Sequence, residues 1–172
     1  MRKGYVQVYT GDGKGKTTAA LGLALRAAGA GMRVFIAQFI KKKQCSEHRA
    51  LDRFGDLVTL KQFGRGFILN RTPSEADRAE ARKGISEVRE AFRSKSYGLV
   101  IMDEANVAVH RGLVSVEDVL ALIAEKPAAV ELVITGRHAH ERVFEAADLV
   151  TEMKEVKHYS SKGVKARVGI EK

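Results

Sequence analysis

The chain of 172 residues is 45% hydrophobic with a formal net charge of +9, enough apolar material for the core of one compact domain. No run approaches the roughly 20 consecutive apolar residues that cross a bilayer, and Met1-Arg2-Lys3 leads into a short apolar strand rather than a signal peptide, so a cytoplasmic protein with no membrane partner is expected. The lone Cys45 excludes an internal disulfide, and basic residues dispersed among acids, with 6% aromatics and no Trp, argue against nucleic acid as a partner and for a surface that attracts a small anion.

Tyr5 to Tyr9 reads as the first strand, and the Gly-rich stretch that follows it leads into Thr17 to Ala28, apolar apart from Arg26 and therefore expected as a largely buried helix ending at Gly29 and Gly31. Arg33 to Ile40 has the continuous apolar run of a central parallel strand, followed by the one dense basic run, Lys41-Lys42-Lys43. Leu57 to Phe63 alternates like a partly covered strand. Gly64 to Leu69 is a Gly-containing loop with three large apolar residues, a core segment or a lid over a flat apolar ligand. Thr72-Pro73-Ser74-Glu75 predicts a helix start, with Thr72 as N-cap, Pro73 in the first helical position and Glu75 closing a capping box. Ala81, Ile85, Val88 and Phe92 carry the helical spacing on towards Lys95.

Leu99 to Met102 is the next buried strand and ends in Asp103-Glu104. A helix opens at Ser115, Val130 to Thr135 is a strand, and Leu149 to Val156 and Val164 to Ile170 are expected as closing strands. The fold class is therefore α/β: a mostly parallel sheet with helices on both faces, as a single domain over 1–172. In such sheets ligands bind at the carboxyl ends of the strands, where Thr10 to Thr18, Asp103-Glu104 and Gly136-Arg137 all fall.

Thr10-Gly11-Asp12-Gly13-Lys14-Gly15-Lys16-Thr17-Thr18 matches the phosphate-loop pattern G-x-x-x-x-G-K-[ST] apart from Thr10 in the first glycine position, which narrows the expected fold to the P-loop NTPase (RecA-like) type. Glycines let the backbone wrap phosphate oxygens, the helix start supplies free N–H groups, Lys16 a point charge and Thr17 a hydroxyl for Mg²⁺. Acids at the end of an apolar strand need a positive partner, which Mg²⁺ on the phosphates would provide. Arg137 reads equally as a phosphate ligand or a plain surface residue. The five histidines show no metal-ligand spacing.

These residues resemble the P-loop corrinoid adenosyltransferases. The likeness rests on Thr10 to Ala20, Gln38-Phe39-Ile40-Lys41, Gly66-Phe67, Asp103-Glu104, Thr135-Gly136-Arg137, Ala147 to Met153, Lys157-His158 and Gly169-Ile170-Glu171. It implies transfer of the adenosyl group of ATP to the cobalt(I) of a corrinoid, with release of the whole triphosphate. It also implies that Gly11, Asp12, Gly13, Lys14, Gly15, Lys16, Thr17 and Thr18 hold the triphosphate, that Thr17 and Glu104 bind Mg²⁺, and that Arg26 and Arg137 assist at the nucleotide or corrinoid. Phe67 would lie against the lower face of the corrin, with Leu69 beside it where well-studied members have an aromatic residue. Lys16, Thr17 and Glu104 are the catalytic set so implied, and an electron-donating flavoprotein and a homodimer are the further partners. Two other readings remain open from the residues: a P-loop ATPase or small-molecule kinase, and a RecA-like nucleic-acid-binding ATPase.

Overall fold

The computed structural model describes residues 3–66 and 71–171. Among them, six strands form one sheet: β1 (Val6–Thr10), β2 (Val34–Phe39), β3 (Val58–Phe63), β4 (Leu99–Asp103), β5 (Glu131–Thr135) and β6 (Leu149–Glu152). Their order is β3-β2-β4-β5-β1-β6, and every pairing is parallel. The helices are α1 (Lys16–Gly29), α2 (Ser46–Leu51), α3 (Glu75–Ser94), α4 (Ala105–His110), α5 (Val116–Glu125) and α6 (Glu141–Ala146). Among the described residues no helix is long and apolar enough to cross a membrane.

Period-two alternation in β2 sorts its side chains onto two cores. Val34 and Ile36 meet Ala20, Ala24, Ala27 and Ala28 of α1 on one face, while Phe35, Ala37 and Phe39 meet Ile85, Val88 and Phe92 of α3 on the other. The alanine stripe brings the α1 backbone close to the sheet. A glycine does the same for α3: a Cβ on Gly84 would lie 2.7 Å from Phe39 Cε1 and 2.9 Å from Phe63 Cγ. That close approach outweighs the roughly 1 kcal/mol a mid-helix glycine costs relative to alanine.

Three expectations are corrected. Helix α1 is buried along only one side: Gly22 and Leu25 are exposed, because with Leu21 they face a cleft instead of the sheet. The N-cap of α3 is Ser74, not Thr72. Ser74 Oγ accepts from the Asp77 N–H at 3.3 Å while the Asp77 carboxylate accepts from the Ser74 N–H at 2.8 Å, a reciprocal box that Arg71 completes by pairing with Asp77. Finally, Val164 to Ile170 forms no strand. It runs through turns with Gly169 at φ +79, and Leu149 to Glu152 is the last strand of the sheet.

Candidate functional site

Because all six strands are parallel, their carboxyl ends share one rim, and the register sets Tyr9 beside Thr135, Thr10 beside Glu152 and Gln38 beside Asp103. The loop after β1 turns through Gly11 (φ +93) and Gly15 (φ +123) into α1. The Lys16 ammonium folds back under that loop and donates to the carbonyls of Gly11 at 2.6 Å and Gly13 at 2.7 Å. Burial, then the nearby Arg137 charge, lowers the Lys16 pKa, against the opposite pull of Glu104 and Asp12. Gly11 and Gly13 are required by a neighbouring segment as well as by the turn. Met153 O would stand 2.4 Å from a Cβ on Gly11 and 2.7 Å from one on Gly13, and it accepts the Gly13 N–H at 2.7 Å. The Gly13 N–H is thus already committed to the chain leaving β6.

At the end of β4, Asp103 is 1% exposed and fully engaged. Its Oδ1 accepts the hydroxyls of Thr17 at 2.8 Å and Thr135 at 2.7 Å, its Oδ2 accepts Gln38 Nε2 at 2.9 Å, and Lys41 Nζ stands 3.6 Å away. Glu104 follows in the left-handed region (φ 62), its N–H donating to Thr135 Oγ1 at 3.1 Å. Burial, then the Asp103 charge, raises the Glu104 pKa, while Lys41, Lys16 and Arg137 pull it down. Lys41 reaches this centre through a tight turn at Ile40. Ile40 has φ 70, and the Lys41 N–H bonds back to Phe39 O at 2.7 Å.

The donor set suits a hard cation. Thr17 gives its proton to Asp103, so its lone pairs face away from that carboxylate, and carboxylate plus hydroxyl oxygens are the ligand types of Mg²⁺.

Beside the loop, Arg137 donates to the Asp12 carbonyl at 3.1 Å. Lys14 reaches the chain's last turn, 3.0 Å from the Tyr159 hydroxyl and 2.8 Å from Glu171 Oε1, and Arg167 joins the same carboxylate at 3.2 Å. A cleft of about 1090 Å³ spreads from this rim. Its polar end holds Asp12 to Thr18, Glu104 and Arg137, and its other wall is apolar, formed by Leu21 and Leu25 of α1, Ala50 and Leu51 of α2, and Phe54.

Of the residues singled out in the sequence, Asp12, Gly13, Lys14, Gly15, Lys16, Thr17, Thr18, Glu104 and Arg137 line this one cleft. Gly11 lies beneath it, receiving Lys16. Arg26 does not line it: Arg26 lies near the Tyr9 phenol, whose pKa it pulls down against burial and Glu131. Phe67 and Leu69 lie outside the described residues. Next to them, the Gly66 N–H donates to Ile40 O at 3.0 Å, so that loop starts on the rim. Sequence reasoning missed Asp103 as the partner of Thr17, and it missed the wall helix α2. Asp103 was visible as an acid ending an apolar strand, but its contact with Thr17 depends on strand order.

Residues 2–171 match the family model described as ATP:corrinoid adenosyltransferase BtuR/CobO/CobP. The chain is 38% identical over 170 residues to the corrinoid adenosyltransferase of Pseudomonas aeruginosa, covering 98% of this chain and 84% of that one. It is 36% identical over 170 residues to the corrinoid adenosyltransferase of Escherichia coli K12, covering 98% and 86%. In fold it resembles the KaiC-like protein PH0186 of Pyrococcus horikoshii, with a TM-score of 0.58 at 16% identity over 87% of this chain and 73% of that one.

Proposed function

The chain belongs to the ATP:corrinoid adenosyltransferase family, and from that membership and the shape of the cleft we propose that it transfers the 5′-deoxyadenosyl group of ATP to the cobalt(I) of a corrinoid. The observation that carries the reading is the union, in one cleft of about 1090 Å³, of a phosphate loop with an apolar wall. That space is slightly above the usual range of roughly 300–1,000 Å³ for a single small ligand. It suits a nucleotide and a second, broad-faced substrate together.

In the reaction a cobalt(I) lone pair forms the Co–C5′ bond as the C5′–O bond breaks, and triphosphate leaves with the bonding pair of the C5′–O bond. The leaving group carries the developing charge, so a loop that surrounds the whole triphosphate is the appropriate catalyst. Lys16 and the helix start at Gly15 would face it, Arg137 would flank it, and α1 with α2 would hold the corrinoid in line with C5′. Thr17 and Glu104 would hold Mg²⁺, with Asp103 orienting the Thr17 hydroxyl, and the ion when bound neutralises phosphate charge. Phe67 and Leu69 would contribute to the lower corrin face, a flavoprotein would supply electrons to cobalt, and the protein would work as a homodimer in the cytoplasm.

Product analysis tests the reading. Incubation with ATP, Mg²⁺ and chemically reduced cobalamin should yield intact triphosphate and the visible spectrum of an alkylated corrinoid. Formation of ADP with no spectral change would overturn it in favour of a kinase or ATPase.

A further inference from the structure

We infer that His48, on α2 and away from the phosphate loop, is a positioning residue that sets the orientation of the Thr17 hydroxyl through Gln38 and Asp103; the inference rests on the reading of Thr17 as a residue of the triphosphate site. Each link follows from the donor inventory of the one before. The Cys45 N–H donates to His48 Nδ1 at 2.9 Å, so that nitrogen is the acceptor and Nε2 carries the proton. Nε2 lies 3.0 Å from Gln38 Oε1, and Gln62 Nε2 donates to the same oxygen at 2.8 Å. Two donors on Oε1 decide which end of the Gln38 amide is oxygen, and its nitrogen therefore faces Asp103 Oδ2 at 2.9 Å. With Oδ2 held, Oδ1 receives the Thr17 and Thr135 hydroxyls.

Burial makes the relay matter. His48, Gln38 and Asp103 are 5%, 1% and 1% exposed, so in the folded protein the relay is satisfied by protein groups, in surroundings where each hydrogen bond counts for more than in water. Without the His48 proton, the Asp103 carboxylate still holds the Gln38 amide nitrogen and Gln62 its oxygen, but one of the two donors that fix the amide is gone. Gln38 then holds Asp103 less firmly, and the Oδ1 that receives the Thr17 hydroxyl is less fixed in direction. The relay joins the wall helix α2 to the phosphate end of the cleft, two regions that meet at no point in sequence.

His48 uses one nitrogen to cap α2 and the other for the relay, which allows the two roles to be separated. In His48→Asn the side-chain oxygen can still accept near the Nδ1 position, but no donor reaches Gln38. In His48→Gln the amide nitrogen reaches the Nε2 position as a donor, and the capping acceptor is lost. Two measurements follow. In the protein without added metal, the Thr17 hydroxyl proton, observed by NMR and assigned by its loss in Thr17→Val, should exchange faster in His48→Asn and stay protected in His48→Gln. In calorimetric ATP titrations at graded MgCl₂, the Mg²⁺ needed for half-maximal binding should rise about 3- to 10-fold in His48→Asn, the range of one neutral hydrogen bond, and stay within about 2-fold in His48→Gln.

Equal exchange of the Thr17 hydroxyl in both variants would overturn the proposal and leave His48 as a cap alone. If Thr17→Val itself leaves the Mg²⁺ requirement unchanged, the magnesium reading of Thr17 fails, and the hydroxyl exchange still decides the role of His48.

Discussion

The Lys16 ammonium donates to the Gly13 carbonyl at 2.7 Å, three residues back along its own chain, so the loop is arched around the charge that serves it. Replacing Lys16 with Ala removes that charge together with its bonds to the Gly11 and Gly13 carbonyls. A hydrogen bond to a charged group contributes about 1.5–3 kcal/mol, so ATP affinity should fall about 10- to 100-fold in calorimetry. Far-ultraviolet circular dichroism should be unchanged, since α1 is held by its alanine face. Parental ATP affinity would remove Lys16 from the phosphate site.

Glu104 offers a pH test. Its folded pKa is raised by burial and by Asp103, so the ionised carboxylate opposes folding. The penalty is full above the folded pKa and disappears below the ordinary value of 4.5. Glu104→Gln should therefore melt higher than the parent at pH 7, by about 2–4 °C for each kcal/mol relieved in a domain of this size, and the advantage should vanish near pH 4. The same variant should need more Mg²⁺ to bind ATP. A lower melting temperature at pH 7 would show that Lys41, Lys16 and Arg137 outweigh the burial.

The Ser74 box predicts an effect confined to stability. Ser74→Ala removes the side-chain acceptor of the Asp77 N–H and should destabilise the fold by about 1 kcal/mol in urea melts, with unchanged ATP affinity. Thr72→Ala should leave both stability and ATP affinity unchanged. A larger loss from Thr72→Ala would return the cap to Thr72.

The chain's last turn gives the fourth test. Arg167, Lys14 and Tyr159 bond to Glu171 and hold its carboxyl far below the usual carboxylate range. A depressed folded pKa means the contribution is present above the ordinary value and lost only as pH falls through the folded one. The tail should therefore stay docked at pH 5. In Glu171→Ala, trypsin should cut after Lys162 and Lys165 faster at neutral pH, with little change at distant sites. Equal cleavage of parent and variant would mean that the ring contacts of Tyr159 with Lys14 and Arg167 suffice.

What the sequence made legible was local or periodic. The loop from Thr10 to Thr18 announces itself because closely spaced glycines, a lysine and a threonine meet one chemical demand within a few residues. The runs in β2, β4 and β5 are legible because strands buried on both faces have no polar side. The bond between Thr17 and Asp103 was not, because it joins residues 86 apart and depends on which strands are neighbours. Leu25 was misread for a related reason: an apolar residue that lines a cleft looks like one that fills a core. The tail from Val164 to Ile170 shows how little alternation means without a neighbouring strand to pair with. Glycines at 163 and 169, both at φ +79, break it into turns.

The tight turn at Ile40 makes two demands that pull apart. A left-handed backbone on a β-branched residue costs on the order of 1–3 kcal/mol, and glycine would meet it freely. Yet the side chain is only 5% exposed, and trimming a buried isoleucine to a smaller residue forfeits about 2–5 kcal/mol. Asparagine would ease the backbone and strand an amide among hydrocarbons. The position thus has no replacement that satisfies both requirements, and a thermostabilisation campaign that scores backbone torsions alone would choose Ile40 for correction. It would gain a relaxed turn and lose both the packing beneath it and the aim of Lys41 at Asp103.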